Sequence, residues 1–277
     1  MSKEKSECLD ADELRKMFES LDNVELLGDF CIDKFKNGKN PLTVYRYMHY
    51  SWAKTLIESK EISFADPNIW EDPFEKRFVC GKYEDFTPKQ LACLCVTTEH
   101  GKNEAAFWRA FDPDGKHDLV QVTLDFETLL RSLDKFAKKY DAKVYVKACD
   151  YKYSSAELKS SGKDSFLKDV ESVDEKTFID LMSLKRRAFA SENELRFFIY
   201  GNNLPFETGY VNIPYEGNLV RTIKVCPNPD IWAFMSAEDF VPEILKAYYS
   251  RKQISVDIEQ SRLYEDVSKF NFKKGKK

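Results

Sequence analysis

One short stretch of the sequence passes from dense charge to apolar β-forming residues, and it limits both the fold and the position of an active site. The stretch spans residues 191–200 and reads SENELRFFIY. Successive side chains of a strand point to opposite faces, so a strand here places Glu192, Glu194 and Arg196 on one face. The two carboxylates would then lie roughly 6 to 7 Å apart. Because carboxylates accept hydrogen bonds and arginine donates a planar fork, such a face can hold a sugar hydroxyl, a phosphate or a developing cation.

The same residues also fit a simpler interpretation, a sheet edge with a solvated acidic rim. Other parts of the chain favour a site. A predicted strand at 42–47 carries Arg46 between two tyrosines, and a guanidinium is costly to bury unless an acid or an anionic ligand meets it. The loop at 66–74 holds two prolines and aromatic residues without periodicity, which is typical of an ordered loop that lines a site. The basic run 185–187 either receives phosphate or complements a helix C-terminus.

Composition narrows the class of protein. The 277 residues are 43% hydrophobic and 32% charged, which is typical of a globular protein with a sizeable core. Lys and Arg number 43 against 47 Asp and Glu, so the overall charge does not indicate nucleic-acid binding. The seven cysteines form no C-x-x-C pair, and the three histidines show no ligand spacing, so we predict a reducing compartment and no metal site. The charged N-terminal residues and the lack of a run of about 20 apolar residues predict a cytoplasmic protein without membrane contact.

Alternating hydrophobic periodicities predict an α+β domain. Strands are expected at 42–47, 60–65, 91–98, 119–124, 144–153, 191–200, 209–213, 219–225 and 254–258. Helices are expected at 10–27, 51–59, 105–111, 126–140, 173–190 and 236–252. The Ser- and Lys-rich residues 154–169 are expected to form a surface insertion. We predict a helical appendage at 1–40 packed outside the domain, the domain itself at 41–262, and a basic tail at 263–277.

Several short motifs occur in a fixed order between about residues 42 and 261. They are Tyr45-Arg46-Tyr47, Ile62-Ser63-Phe64 leading into Glu71-Asp72-Pro73-Phe74, Cys95-Val96-Thr97, Phe107-Trp108 with Gly115 downstream, and Lys185 followed by Glu192-Asn193-Glu194-Leu195-Arg196. Together they resemble a widespread bacterial family of unknown function, the DUF2971 type. Two positions depart from the family pattern: Glu71 stands where its loop usually has asparagine, and Phe189 stands where a tryptophan is often found.

The order of these motifs is also similar to that of ADP-ribosyltransferases of the Arg-Ser-Glu kind. Those enzymes use an arginine on an early strand, a hydroxyl on a middle strand and a Glu-x-Glu at a late strand. The resemblance implies an ADP-ribosyltransferase-like single domain with a mixed, mostly antiparallel sheet flanked by helices, and it implies NAD as substrate. The implied site residues are Glu194 and Glu192 for catalysis, Arg46 and Arg196 for NAD, and one hydroxyl among Ser63, Thr97 and Thr98.

The resemblance also implies a division of labour. Cleavage of the nicotinamide–ribose bond of NAD creates an oxocarbenium-like centre, which Glu194 would stabilise while Arg46 holds the pyrophosphate. Glu192 would orient or activate the acceptor, and the hydroxyl would hold Glu194 in place. The implied context is a toxin or phage-defence effector that modifies a nucleic acid or a protein, with an antitoxin or another defence-system component as partner.

Two further interpretations stay open at this point. One is a non-catalytic sensor or binding module of a defence system, in which the charged residues form a structural ion network that tolerates Glu194→Gln. The other is a metal-dependent nuclease built on Asp72, Glu192 and Glu194, which ranks lower because Arg196 stands where a lysine is expected. The transferase interpretation requires the strands of Arg46, Thr97 and Glu194 to lie close together.

Overall fold

The structure is a computed structural model that describes residues 11–28, 43–79, 88–98, 104–111, 119–153, 173–226 and 240–261. The predicted surface insertion at 154–169, the predicted tail at 263–277 and Gly115 lie outside the described residues.

The described residues form seven α-helices and twelve strands. The helices are α1 (Ala11–Glu19), α2 (Tyr50–Ser59), α3 (Pro73–Val79), α4 (Glu104–Ala110), α5 (Phe126–Tyr140), α6 (Glu175–Met182) and α7 (Phe240–Arg251). The strands are β1 (Val24–Leu26), β2 (Thr43–His49), β3 (Glu61–Ala65), β4 (Gln90–Thr97), β5 (Leu119–Asp125), β6 (Lys143–Ala148), β7 (Asp150–Tyr153), β8 (Leu184–Arg186), β9 (Glu194–Gly201), β10 (Tyr210–Pro214), β11 (Val220–Val225) and β12 (Asp257–Gln260). Short 3₁₀ helices lie at Pro67–Ile69 and Arg187–Glu192.

One mixed sheet organises the domain. Its strand order is β1-β6-β9-β4-β2-β5-β11-β12, and β3 and β10 branch from β4. The edge pairs β1·β6 and β11·β12 are parallel, whereas the pairs between them are antiparallel. Strands β7 and β8 form a separate two-stranded sheet. This confirms the predicted α+β fold with a mixed, mostly antiparallel sheet flanked by helices.

The sheet forks at β4. Strand β2 pairs with β4 at Tyr45 opposite Thr97, whereas β3 pairs with β4 at Ala65 opposite Cys93. Beyond these contacts β2 continues along β5 and β3 continues along β10, so a gap opens between β2 and β3. The strands of Arg46, Thr97 and Glu194 are neighbours in the order β2-β4-β9, as the transferase interpretation requires.

The bounds of helix α5 were predicted correctly from the sequence, because both of its ends carry recognisable capping residues. Asp125 accepts a hydrogen bond from the Thr128 backbone N–H at 2.8 Å, and Asp141 ends the helix in the left-handed conformation. Its apolar face is buried against the sheet through Leu129, Leu130, Leu133 and Phe136. The observed bounds match the predicted 126–140 because capping and periodicity are both local signals.

The described part of the N-terminal segment differs from the prediction. Instead of one helix over 10–27 packed outside, α1 ends at Glu19 and β1 becomes an edge strand of the main sheet. Leu14 and Phe18 are 1% and 8% exposed and belong to the main core. Asn23 donates from its backbone and its amide to the Asp134 carboxylate, which turns the chain into β1. Because this contact joins residues that are far apart in the sequence, the local hydrophobic periodicity could not predict it.

The chain before β9 also differs from the prediction. The helix expected over 173–190 ends at Met182, and β8 and a 3₁₀ helix follow it. Strand β9 begins at Glu194, so Glu192 lies on the 3₁₀ helix rather than on the strand. Asn193 between them adopts a left-handed conformation with φ 41°, which asparagine tolerates better than most residues. The predicted strand alternation therefore does not set the position of Glu192.

None of the helices in the described ranges has both the length and the apolar character that a membrane crossing needs.

Candidate active site

A cavity of about 490 Å³ opens beside the fork of the sheet. Strands β2, β4 and β9 contribute to its wall, together with the loop before α3, helices α2, α3 and α4, and the segment 185–192. Five of the predicted site residues line it: Arg46, Thr97, Glu192, Glu194 and Arg196. The loop predicted to line a site does so through Ile69, Trp70 and Glu71.

A cluster of charged side chains forms one wall of this cavity. Lys185 Nζ lies 2.6 Å from Glu192 Oε2 and 2.5 Å from Glu194 Oε2. Arg196 Nε donates to Glu194 Oε1 at 2.7 Å, and another guanidinium nitrogen donates to Glu75. Three carboxylates thus share two cations, so the cluster carries one net negative charge when all five groups are ionised.

The surroundings shift the pKa values of Glu192 and Glu194 in opposite directions. Burial disfavours ionisation of Glu194, but the charges of Arg196 and Lys185 outweigh burial and lower the pKa of Glu194 to about 2. Burial raises the pKa of Glu192, and Lys185 offsets only part of that effect. For Lys185, burial alone would lower the pKa, yet Glu194 and Glu192 together raise it. Glu194 is therefore ionised at neutral pH, whereas Glu192 is the acid that takes up a proton more readily.

Arg196 supports the cluster from beneath the cavity. Its side chain is 1% exposed, and its Nη1 donates to the Met182 carbonyl at 2.6 Å in addition to the bonds with Glu194 and Glu75. Its guanidinium also lies 4.6 Å from the centroid of the Trp70 ring. We predicted Arg196 as an NAD contact, but protein oxygens engage its nitrogens. It contacts Glu194, Glu75 and Trp70, and its role as an NAD contact stays a prediction.

Arg46 lies at the gap in the sheet. It leaves β2 on the face opposite to Tyr45 and Tyr47, and its Nη1 donates to the Ser63 carbonyl of β3 at 3.3 Å. Burial lowers its pKa, but an arginine stays protonated at neutral pH. No carboxylate within the described ranges forms an ion pair with Arg46.

A second cavity of about 270 Å³ adjoins the first, and both have Arg46 and Trp52 in their walls. Ser63 lines this second cavity, where its hydroxyl lies 2.7 Å from Asn212 Oδ1. Thr97 lies directly opposite Glu194 in the β4·β9 ladder and lines the first cavity. Of the three candidate hydroxyl residues, Thr97 lines the first cavity together with the acid pair, and the Thr98 backbone N–H donates to the carbonyl of Asn193 between the two acids.

Each residue of the basic run 185–187 contacts oxygen atoms of the protein. Lys185 binds the acid pair, Arg186 donates to Asp72 at 2.9 Å, and Arg187 donates to the Lys152 carbonyl at 2.6 Å. Asp72 is therefore paired with Arg186, whereas Glu192 and Glu194 are paired with Lys185. The nuclease interpretation would group these three acids in one metal site. In the described part of the chain, no three His, Cys, Asp or Glu side chains form a metal-binding group.

Sequence reasoning missed two contributors to the site. Glu75 is 8% exposed and pairs with Arg196, and a buried arginine in an apolar strand was a signal that an acid had to exist. Lys185 was recognised as part of a motif but not as the partner of both acids. Its bond to the acids depends on the chain reversal at Asn193, which the sequence did not reveal.

The fold and the cavity define a class: an α+β protein whose mixed sheet forks beside a buried cluster of ionised side chains. Solved structures of DarT from Thermus sp. 2.9 show a distant likeness to this chain. The complex with NAD+ has a TM-score of 0.34 at 10% identity and covers 80% of this chain and 96% of that chain. The complex with ADP-ribosylated ssDNA has a TM-score of 0.36 at 10% identity and covers 80% of this chain and 95% of that chain. The complex with carba-NAD+ has a TM-score of 0.33 at 11% identity and covers 80% of this chain and 96% of that chain.

No family model matches the sequence, so the resemblance to the DUF2971 type stays a prediction. No curated protein matches it either.

Proposed function

We propose that this protein is an NAD-dependent ADP-ribosyltransferase that binds NAD across the gap between β2 and β3. The observation that carries the proposal is the position of Arg46, which lies in the walls of two adjoining cavities and has no carboxylate partner in the described ranges. NAD consists of two nucleotides joined by a pyrophosphate, so a cleft with two lobes and an arginine between them suits its shape and charge.

The charged cluster suits the bond cleavage. When the C1′–N bond of NAD breaks, nicotinamide leaves with the bonding electron pair and the ribose becomes an oxocarbenium-like cation. The net negative charge of the cluster, with Glu194 ionised and 7% exposed, favours that cation. A nucleophilic atom of the acceptor then forms the new bond to C1′. Its proton passes to Glu192, whose raised pKa suits a general base.

Aromatic side chains line the cavity next to these charges. Tyr47 stacks on Phe107 with ring centroids 5.0 Å apart and an angle of 10° between the planes. Trp70 is held by the Arg196 guanidinium. These rings place apolar surface beside the charged cluster, which lowers the local dielectric and strengthens the electrostatic effect of Glu194.

One observation favours a second candidate function, a nucleotide-binding sensor without catalysis. Lys185 is bonded to both acids, so the acid pair is neutralised in part in this conformation. A closed ion network of this kind is also what a binding module would keep for stability. A sensor would bind NAD in the same cavities and leave it intact.

The cellular context follows from the motif resemblance alone. We infer a cytoplasmic toxin or phage-defence effector that modifies a nucleic acid or a protein, with an antitoxin or defence-system partner. The wild-type chain should then arrest a host that overproduces it, and Glu194→Ala should relieve the arrest. A wild-type chain as harmless as the variant would remove the toxin role.

Radiolabelled NAD tests the activity and the acceptor together. Purified protein is incubated with NAD labelled in the adenylate phosphate, with and without cell lysate, and nicotinamide is quantified by chromatography. We expect nicotinamide release, and in lysate a labelled macromolecule that either nuclease or protease destroys. Saturable NAD binding without nicotinamide release would establish the sensor instead, and absence of binding would overturn both candidates.

A further inference from the structure

Glu192 owes its position to something other than strand geometry. It is the last residue of the 3₁₀ helix Arg187–Glu192, and the left-handed Asn193 separates it from β9. Glu194, by contrast, lies on a central strand that is paired on both sides. The distance between the two carboxylates therefore depends on how the segment before Asn193 is attached to the sheet.

Lys185 makes that attachment at the carboxylates themselves. It lies on β8, which pairs with β7 outside the main sheet, and its side chain is 12% exposed. Its ammonium group contacts both Glu192 and Glu194. Other contacts hold the neighbouring chain, such as the hydrogen bond that the Glu194 backbone N–H donates to the Tyr151 hydroxyl at 2.8 Å, but that bond does not involve the Glu192 carboxylate.

We propose that Lys185 is a positioning residue that clamps Glu192 against Glu194 and thereby makes activation of the acceptor depend on one buried cation. The proposal rests on the proposed transferase function, because it concerns the same acid pair. Lys185 itself needs no contact with NAD. It acts through Glu192, whose carboxylate it orients and whose negative charge it balances.

Removal of the cation has a consequence that a purely structural role lacks. Without Lys185, the two carboxylates repel each other and Glu192 binds its proton more tightly, so its pKa rises further. A general base works only when deprotonated, so transfer would need a higher pH. Loss of packing alone would lower the rate without moving its pH dependence.

The test compares Lys185→Met and Lys185→Arg with a matched control, Lys147→Met. Lys147 is a partly buried lysine of β6 that pairs with Asp180 and does not line the cavity. For each protein, two rates are measured at pH values from about 5 to 9, a range chosen to include the titration of a carboxyl with a raised pKa. They are the transfer of labelled ADP-ribose in lysate and the release of nicotinamide in buffer. Titration of the Glu192 carboxyl by ¹³C NMR, assigned with Glu192→Gln, gives a readout that needs no activity. Lys185→Gln serves as a second variant if Lys185→Met does not fold.

We expect Lys185→Met to lower transfer by about tenfold or more and to move both the acid limb of the transfer profile and the Glu192 titration to higher pH. Lys185→Arg should restore the wild-type midpoint, and Lys147→Met should match the wild type. An unchanged Glu192 titration in Lys185→Met overturns the clamp, and so does a lower rate with an unchanged pH midpoint. A wild-type protein that releases no nicotinamide overturns the proposed function instead, while the NMR titration still decides the clamp.

Discussion

Glu194 is 7% exposed and nevertheless ionised, because Arg196 and Lys185 flank its two oxygens. Arg46 differs from it: it is a partly exposed cation whose side chain donates a hydrogen bond to a neutral carbonyl. Within the described residues, Lys185 and Arg196 rather than Arg46 form the ion pairs of Glu192 and Glu194.

The ion pairs of Glu194 predict a specific pH dependence of stability. Its pKa is about 2 in the folded protein against an ordinary 4.5, so its ionised form stabilises the fold above about pH 4.5. That contribution, roughly 3 kcal/mol, is lost as the pH falls from 4.5 toward 2. The difference in unfolding free energy between wild type and Glu194→Gln, measured in urea, should therefore shrink over this range. A difference that does not vary with pH would contradict the ionised state of Glu194.

Arg46→Ala should weaken binding of ligands that carry a pyrophosphate. A charge-assisted hydrogen bond contributes about 1.5–3 kcal/mol, so the Kd for ADP-ribose should rise roughly 10- to 150-fold in calorimetry. Adenosine lacks the phosphates, so its Kd should stay near the wild-type value. Arg221→Ala is the matched control, because Arg221 pairs with Asp125 away from both cavities. Equal weakening of both ligands in Arg46→Ala would argue against a pyrophosphate contact.

At the scale of elements, local signals decide how far the sequence predicts the structure. Strands β2, β4 and β9 and helix α5 follow from runs of β-formers, helical periodicity and caps, and the sequence placed Arg46, Thr97 and Glu194 correctly on those strands. The segment 183–193 was misjudged. Its bends depend on Asn193 in a left-handed conformation and on ion pairs that reach β9 and the loop before α3, and none of these is a periodic signal.

Helix α1 offers a test of whether the N-terminal segment packs in the core of the domain, as the structure shows, or outside it, as the sequence predicted. Leu14 is 1% exposed and packs in the main core, so Leu14→Ala should lower the unfolding free energy by about 2–5 kcal/mol. Denaturant unfolding, followed by far-UV circular dichroism and by tryptophan fluorescence, should give one coincident transition for both proteins. An appendage outside the domain would instead change by less than about 0.5 kcal/mol or unfold in a separate step.

At the scale of the whole molecule, the site is assembled from distant parts of the chain. The fork joins β2, β3 and β4, the charged cluster draws on α3, β8 and β9, and the 3₁₀ helix adds Glu192. This explains why Glu194 and Arg46 were predictable as strand residues, while the position of Glu192 on a 3₁₀ helix and its link to Glu194 through Lys185 were not. The contacts of Glu75 with Arg196 and of Lys185 with both acids join separate elements, so no local sequence pattern predicts them.

The most direct test of this account is nicotinamide release from NAD by purified wild type, Glu194→Gln and Asp125→Asn. Asp125→Asn is the matched control, because Asp125 is also a buried carboxylate with an arginine partner, lies outside both cavities, and keeps its helix-capping ability as asparagine. All three proteins are first compared by thermal unfolding. We expect Glu194→Gln to lower the release rate by about 100-fold or more, because the charge that stabilises the ribosyl cation is lost, and Asp125→Asn to match the wild type. Wild-type release by folded Glu194→Gln would contradict the account.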